Sequence, residues 1–162
     1  MKKLITLIIV MVLALAGCAN SKSGNTVTST PTSTAPPANT LTAEESTYLQ
    51  DSATLMYIVL DCEEKMIANM ETGNIDGVID NCVNIKTAKN VFDTMDYPTS
   101  RCYAFNEACN DFFYYKSKKV DHIVAYLDYA AYSDYIEVAS CEEKSNQAFD
   151  RMMSERNKLP KK

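Results

Sequence analysis

The sequence predicts an all-α protein, an up-down bundle of three to four helices that follows a disordered N-terminal tether. Three observations carry this. Between residues 41 and 162 the only glycines and prolines are Gly73, Gly77, Pro98 and Pro160, so few points interrupt regular structure. Apolar residues recur at steps of three and four in each uninterrupted segment, the period of one helix face. No run of strict polar and apolar alternation bounded by turn residues appears, so strands have no support. The punctuating residues divide the chain into 42–72, 75–96 and 99–159.

The first segment opens with Thr42, Ala43, Glu44 and Glu45. This is a capping box, in which Thr42 accepts from the backbone of residue 45 and Glu45 reaches back. Its stripe is Tyr48, Ser52, Leu55, Val59, Cys62, Met66 and Met70. Gly73 supplies a left-handed C-terminal position and Asn74 can cap the next helix. The second segment carries Ile75, Val78, Cys82, Ile85, Lys89 and Phe92. A connection this short makes the two helices antiparallel neighbours. Gly77 falls in the first turn of the second helix, where glycine costs about 1 kcal/mol relative to alanine.

The third segment repeats the pattern with Cys102, Phe105, Cys109, Phe112 and Lys116, then Val120, Ile123, Leu127, Ala131, Val138, Cys141, Phe149 and Met152. As one helix it would run ~90 Å, far beyond what its neighbours could cover. A break is expected at 117–121, after the polar patch at 116–119, with Asp121 capping a fresh and unequal last helix. One long helix is the alternative, and its excess apolar length would need a second copy of the chain.

Ahead of the bundle, Lys2 and Lys3 precede an apolar run over 4–16 that ends in Leu15-Ala16-Gly17-Cys18. The run is shorter than the roughly 20 residues a membrane span requires and suits the core of a signal peptide. The LAGC ending resembles the lipobox of bacterial lipoproteins. That resemblance covers 18 residues and implies cleavage after Gly17, lipidation of Cys18, and a location outside the cytoplasm on a membrane. Several acyl chains anchor stably where one does not. Residue 19 is alanine, not aspartate, which in a Gram-negative cell would leave the outer membrane as destination. Residues 20–40 are Ser, Thr, Asn and Pro with almost nothing apolar. Such a stretch cannot offset the entropy of ordering and, with prolines at 31, 36 and 37, reaches on the order of 65 Å if extended. It reads as a spacer, with O-glycosylation as the alternative. The organisation is thus a signal peptide at 1–17, a lipidated Cys18 and tether to residue 40, and a domain at 41–162.

Composition narrows the function classes. The domain holds 13 basic and 21 acidic residues, a formal charge of −8. Nucleic-acid binding needs a basic face, so no nucleic-acid partner is expected. His122 is the only histidine, and no C-x-x-C spacing occurs, so no metal site, cofactor or catalytic set is assigned. A nucleophilic cysteine could use only His122 as base, with Cys109 the nearest option. Five cysteines remain beside Cys18, in a compartment that permits disulfides. In a hairpin turning at 73, Cys62 and Cys82 come level and form the candidate disulfide. Cys102 and Cys141 come level only if the last turn falls near 121.

The doublets Glu44-Glu45, Glu63-Glu64 and Glu142-Glu143 read as solvated faces, because adjacent helical residues diverge by ~100°. Asp134 lies on the apolar stripe, so it is either paired in the interior or rotated to a boundary. Six of ten tyrosines fall between 114 and 135. Tyr126, Tyr129 and Tyr132 spiral away from the stripe of Ile123 and Leu127. They either pack against a further neighbour or form an exposed aromatic surface for a partner. The expected function is a membrane-anchored, extracytoplasmic binding module with no enzymatic activity. It is held to the bilayer by acylated Cys18 and engages a protein partner or a second copy. The alternatives are an inhibitor or immunity-type protein that captures a basic partner, or a small-ligand carrier or enzyme with a site in the core.

Overall fold

The computed structural model describes residues 40–160. The expected signal peptide, the expected lipidation site Cys18 and nearly all of the expected tether lie outside the described residues. The domain is a bundle of four helices, α1 (Ala43–Thr72), α2 (Ile75–Asp93), α3 (Tyr103–Tyr129) and α4 (Tyr132–Lys158), with a short 3-10 turn at Ser100–Cys102. Among the described residues there is no strand. Each helix packs on its sequence neighbour, most extensively α3 on α4, and α1 also touches α3.

The helix ends follow the local chemistry. Thr42 Oγ1 accepts from Glu45 N at 3.1 Å while Glu45 Oε2 accepts from Thr42 N at 2.9 Å, which satisfies two orphan donors of the first turn. Gly73 ends α1 at φ 70, the left-handed region that glycine enters without a steric cost. Asn74 caps α2 through Gly77 N. Gly77 also has a steric reason: a Cβ there would stand 2.5 Å from Asn74 Nδ2 and 2.6 Å from Asn69 Nδ2.

The core is aromatic and thiol-rich. Phe92 stacks on Phe113 with centroids 4.6 Å apart, and Phe112 meets Phe113 edge-on. These rings are fully buried together with Val59, Val78 and Ile85, and each such side chain contributes ~1.5–3 kcal/mol. At one end Tyr48 Oη donates to Asn106 Oδ1 at 2.7 Å, so its hydroxyl enters the interior with a partner.

The third segment departs from expectation. α3 runs unbroken through 117–121, and the turn falls at Ala130 and Ala131. Asp121 caps nothing; it pairs with Lys86 of α2 at 2.5 Å. The two halves are equal, at 27 residues each, and the single long helix does not form.

The thiol pairings also differ. Cys62, Cys82, Cys102, Cys109 and Cys141 are all free and buried. Cys82 comes level with Met66, whose sulfur its Sγ meets at 3.6 Å, one helical turn past Cys62. Cys62 and Cys82 are therefore not bonded. With the last turn at 130, Cys102 comes level with the C-terminal end of α4 rather than with Cys141.

Candidate functional site

The candidate surface is the end of the bundle at the α3–α4 turn, and a buried ionic centre beneath it sets where it begins. Lys116 Nζ contacts Glu63 at 2.7 Å and Glu142 at 3.1 Å, and Lys119 contacts Glu63 at 2.8 Å and Glu142 at 2.5 Å. Two lysines of α3 thus bridge one carboxylate from α1 and one from α4. Burial alone would raise the Glu142 carboxyl, but the two ammonium groups outweigh it and hold it below the ordinary range. The same carboxylates hold Lys119 above its ordinary value despite burial.

Past this level the interior soon runs out. Buried residues end at Met66 in α1 and Ile123 in α3, and begin at Val78 in α2 and Cys141 in α4. The first nine residues of α4 contain none. What covers this stretch is aromatic and open to solvent. Tyr129 is 80 % exposed and Tyr132 74 %, with Tyr126, Tyr135 and Ile136 also exposed. Tyr132 stacks on Tyr135 with centroids 6.1 Å apart, and Tyr126 leans on Tyr135 at 6.3 Å. Tyr126, Tyr132 and Tyr135 form one cluster through these pairs, and Tyr129 stands exposed beside it at the end of α3.

The turn that presents them is braced. His122 Nδ1 and Asp134 Oδ1 lie 2.9 Å apart across the hairpin, both partly buried. Asp134 therefore sits at a boundary with a partner. Ala130 adopts φ 50, a left-handed conformation that costs an alanine ~1–2 kcal/mol. Such strain persists where the surroundings over-determine it, and here the residue lies between Tyr129 and Tyr132.

Cross-helix contacts give the direction of the surface. Glu45 pairs with Arg101, Tyr48 with Asn106 and Glu63 with Lys116, so α1 and α3 run parallel and the α3–α4 turn lies at the far end of α1. Thr40 stands at the near end, where its carbonyl accepts from Arg101 Nη2 at 3.2 Å. α1 has 30 residues, so the two ends are separated by ~45 Å.

Of the tyrosines singled out by sequence, Tyr126 and Tyr132 are brought together through Tyr135, and Tyr129 is exposed at the same turn without a ring contact to them. Cys109 and His122 are not: they lie 13 residues apart on α3, ~20 Å by helix rise, and burial pushes the Cys109 thiol far up. One acid of each doublet departs from the solvated reading. Glu45 and Glu63 are buried and Glu142 is half-buried, as their diverging directions allow. The ionic centre was missed, although Lys116 on the apolar stripe pointed to it. Among the described residues no group of side chains could hold a metal ion, and no helix is long and apolar enough to cross a membrane. An open cleft of about 540 Å³, lined by Tyr48, Met95 and Pro98 with Glu44, Asp51 and Asp96, lies at the end opposite the His122–Asp134 pair. The chain matches no family model, no curated protein and no solved structure.

Proposed function

We propose that this chain is a lipid-anchored, extracytoplasmic and non-catalytic interaction module that engages a protein partner through the tyrosine end of its bundle. The observation that carries the reading is the exposed cluster of Tyr126, Tyr132 and Tyr135, with Tyr129 exposed beside it, at the end of the helices opposite Thr40. Exposed tyrosines offer large contact area at low entropic cost. Their position adds to this. A chain held by Cys18 through the Ser/Thr/Pro-rich tether joins the bundle at Thr40, so the tyrosines lie at the end remote from the attachment point, beyond ~45 Å of helix. The lipobox residues, from Lys2 to Cys18, support the anchor.

The experiment is site-specific photo-crosslinking on the anchored full chain in the cells that make it. A photoreactive residue at 129 or 132 is expected to yield discrete adducts with another protein. The same residue at Tyr57, exposed on the flank of α1, is expected to yield none. Adducts at 57 with a silent tyrosine end would contradict the proposal.

A further inference from the structure

Resting on that reading, we infer that the partner docks on the tyrosine end with a basic surface, presenting lysine or arginine side chains, and that the occupant is not a second copy of this chain. The charge distribution carries the argument. Residues 124–140 contain three carboxylates and no lysine or arginine. Residues 64–83, which form the adjoining end of α1 and α2, contain four carboxylates and Lys65. Seven acids against one base give this end −6, out of −8 for the whole domain. Even Lys65 is engaged, with Asp61 at 2.7 Å.

The aromatic cluster has the matching chemistry. The face of a tyrosine ring attracts a lysine or arginine head within about 6 Å, and four such rings stand exposed among these carboxylates. Asp128 and Glu137 flank the rings in sequence and are exposed. The apolar stem of a docked lysine or arginine would also find cover, since Ile75, Ile79 and Ile136 are exposed at the same end. A second copy fits poorly. Joining two such ends would oppose −6 to −6, with Lys65 the one lysine or arginine in each of those stretches and already paired with Asp61, and like charges across an interface are strongly disfavoured. A basic partner gains twice, from steering by the acidic end and from ring contacts once docked.

The test uses the full chain reconstituted in phosphatidylcholine vesicles, with empty vesicles as blank. The probes are three fluorescent peptides that alternate leucine with arginine, glutamine or glutamate, read by anisotropy. The arginine peptide is expected to bind and the other two are not. Its affinity should fall about tenfold in Tyr129→Ser/Tyr132→Ser, about tenfold in Asp128→Asn/Glu137→Gln, and progressively as salt is raised. If the arginine peptide does not bind, or the glutamine peptide binds as well, the inference is overturned. Arginine binding indifferent to the tyrosine substitutions would also overturn it, because charge alone would then explain the result. Binding of a soluble glycan fragment with all peptides silent would replace it with carbohydrate recognition. None of these outcomes touches the photo-crosslinking result, so failure of the basic-partner inference and failure of the interaction reading remain distinguishable.

Discussion

Lys116 Nζ lies 2.9 and 2.7 Å from the two carboxylate oxygens of Glu63, joining α3 to α1 in the interior of the bundle. The lysine side chain is 2 % exposed. Removing one member of such a pair leaves a buried charge without its partner, which costs more than the pair itself contributes. Lys119 would still reach Glu63, so the loss is tempered. Lys116→Met is expected to destabilise the protein by about 2–4 kcal/mol in chemical denaturation. The double variant Lys116→Met/Glu63→Met should be the more stable of the two, because the excess carboxylate is gone and Lys119 keeps Glu142 as its partner. A double variant less stable than the single would contradict this account.

Glu45 makes the bundle sensitive to acid. Burial by itself would raise its carboxyl, but hydrogen bonds from Arg101, Thr99 and the Thr42 backbone lower it from 4.5 to about 2. A carboxyl depressed on folding contributes stability above its unfolded value and loses it as pH falls toward the folded one. The window therefore runs from about pH 4.5 down to about pH 2. The contribution is on the order of 2 kcal/mol, with Arg101 partly open to solvent screening its share. Stability measured against pH should decline through this window in the parent protein. In Glu45→Gln it should start lower and decline less.

Ala130 is a position where a substitution should stabilise. It occupies φ 50 as the C-terminal residue that closes α3. Glycine takes that conformation without the Cβ clash. Ala130→Gly is expected to raise the unfolding free energy by about 1 kcal/mol, measured by denaturant titration. A destabilised variant would mean that the turn does not hold this conformation.

The five cysteines of the domain are free and buried, and burial raises each thiol above its ordinary value. Thiolate is the reactive form, so a thiol reagent should label none of them in the folded protein and all five after unfolding. Reductant should leave the thermal midpoint unchanged. A midpoint that falls in reductant would reveal a bridge and overturn the free-thiol arrangement.

Much of the fold was legible in the sequence because local chemistry and global packing agree there. The Thr42–Glu45 capping box, the Gly73 terminus and the Asn74 cap form as their residue types require, and the apolar stripes are largely buried, except Met70 and Ile75, which are exposed. The last turn was not legible. Position 130 is an alanine in a glycine conformation, flanked by another alanine, and the turn is braced by the tertiary contact of His122 with Asp134 rather than marked by a glycine, a proline or a capping side chain. The polar patch at 116–119 resembled a break because its partners, Glu63 and Glu142, lie 53 and 26 residues from Lys116 in the chain. Long-range ion pairs leave no periodic trace. The tyrosine cluster was half legible: the three-residue spacing placed the rings off the core stripe, but only the early end of the buried interior shows that nothing in the domain covers them.

On the proposed function, residues 126–137 form an open surface kept for a different molecule. Sedimentation of the full chain carrying Cys18→Ser, with and without reductant, tests it most directly. A compact monomer is expected under both conditions, unchanged in Tyr129→Ser/Tyr132→Ser. An elongated dimer that dissociates on those two substitutions would contradict it, since the tyrosines would then already be engaged in self-association.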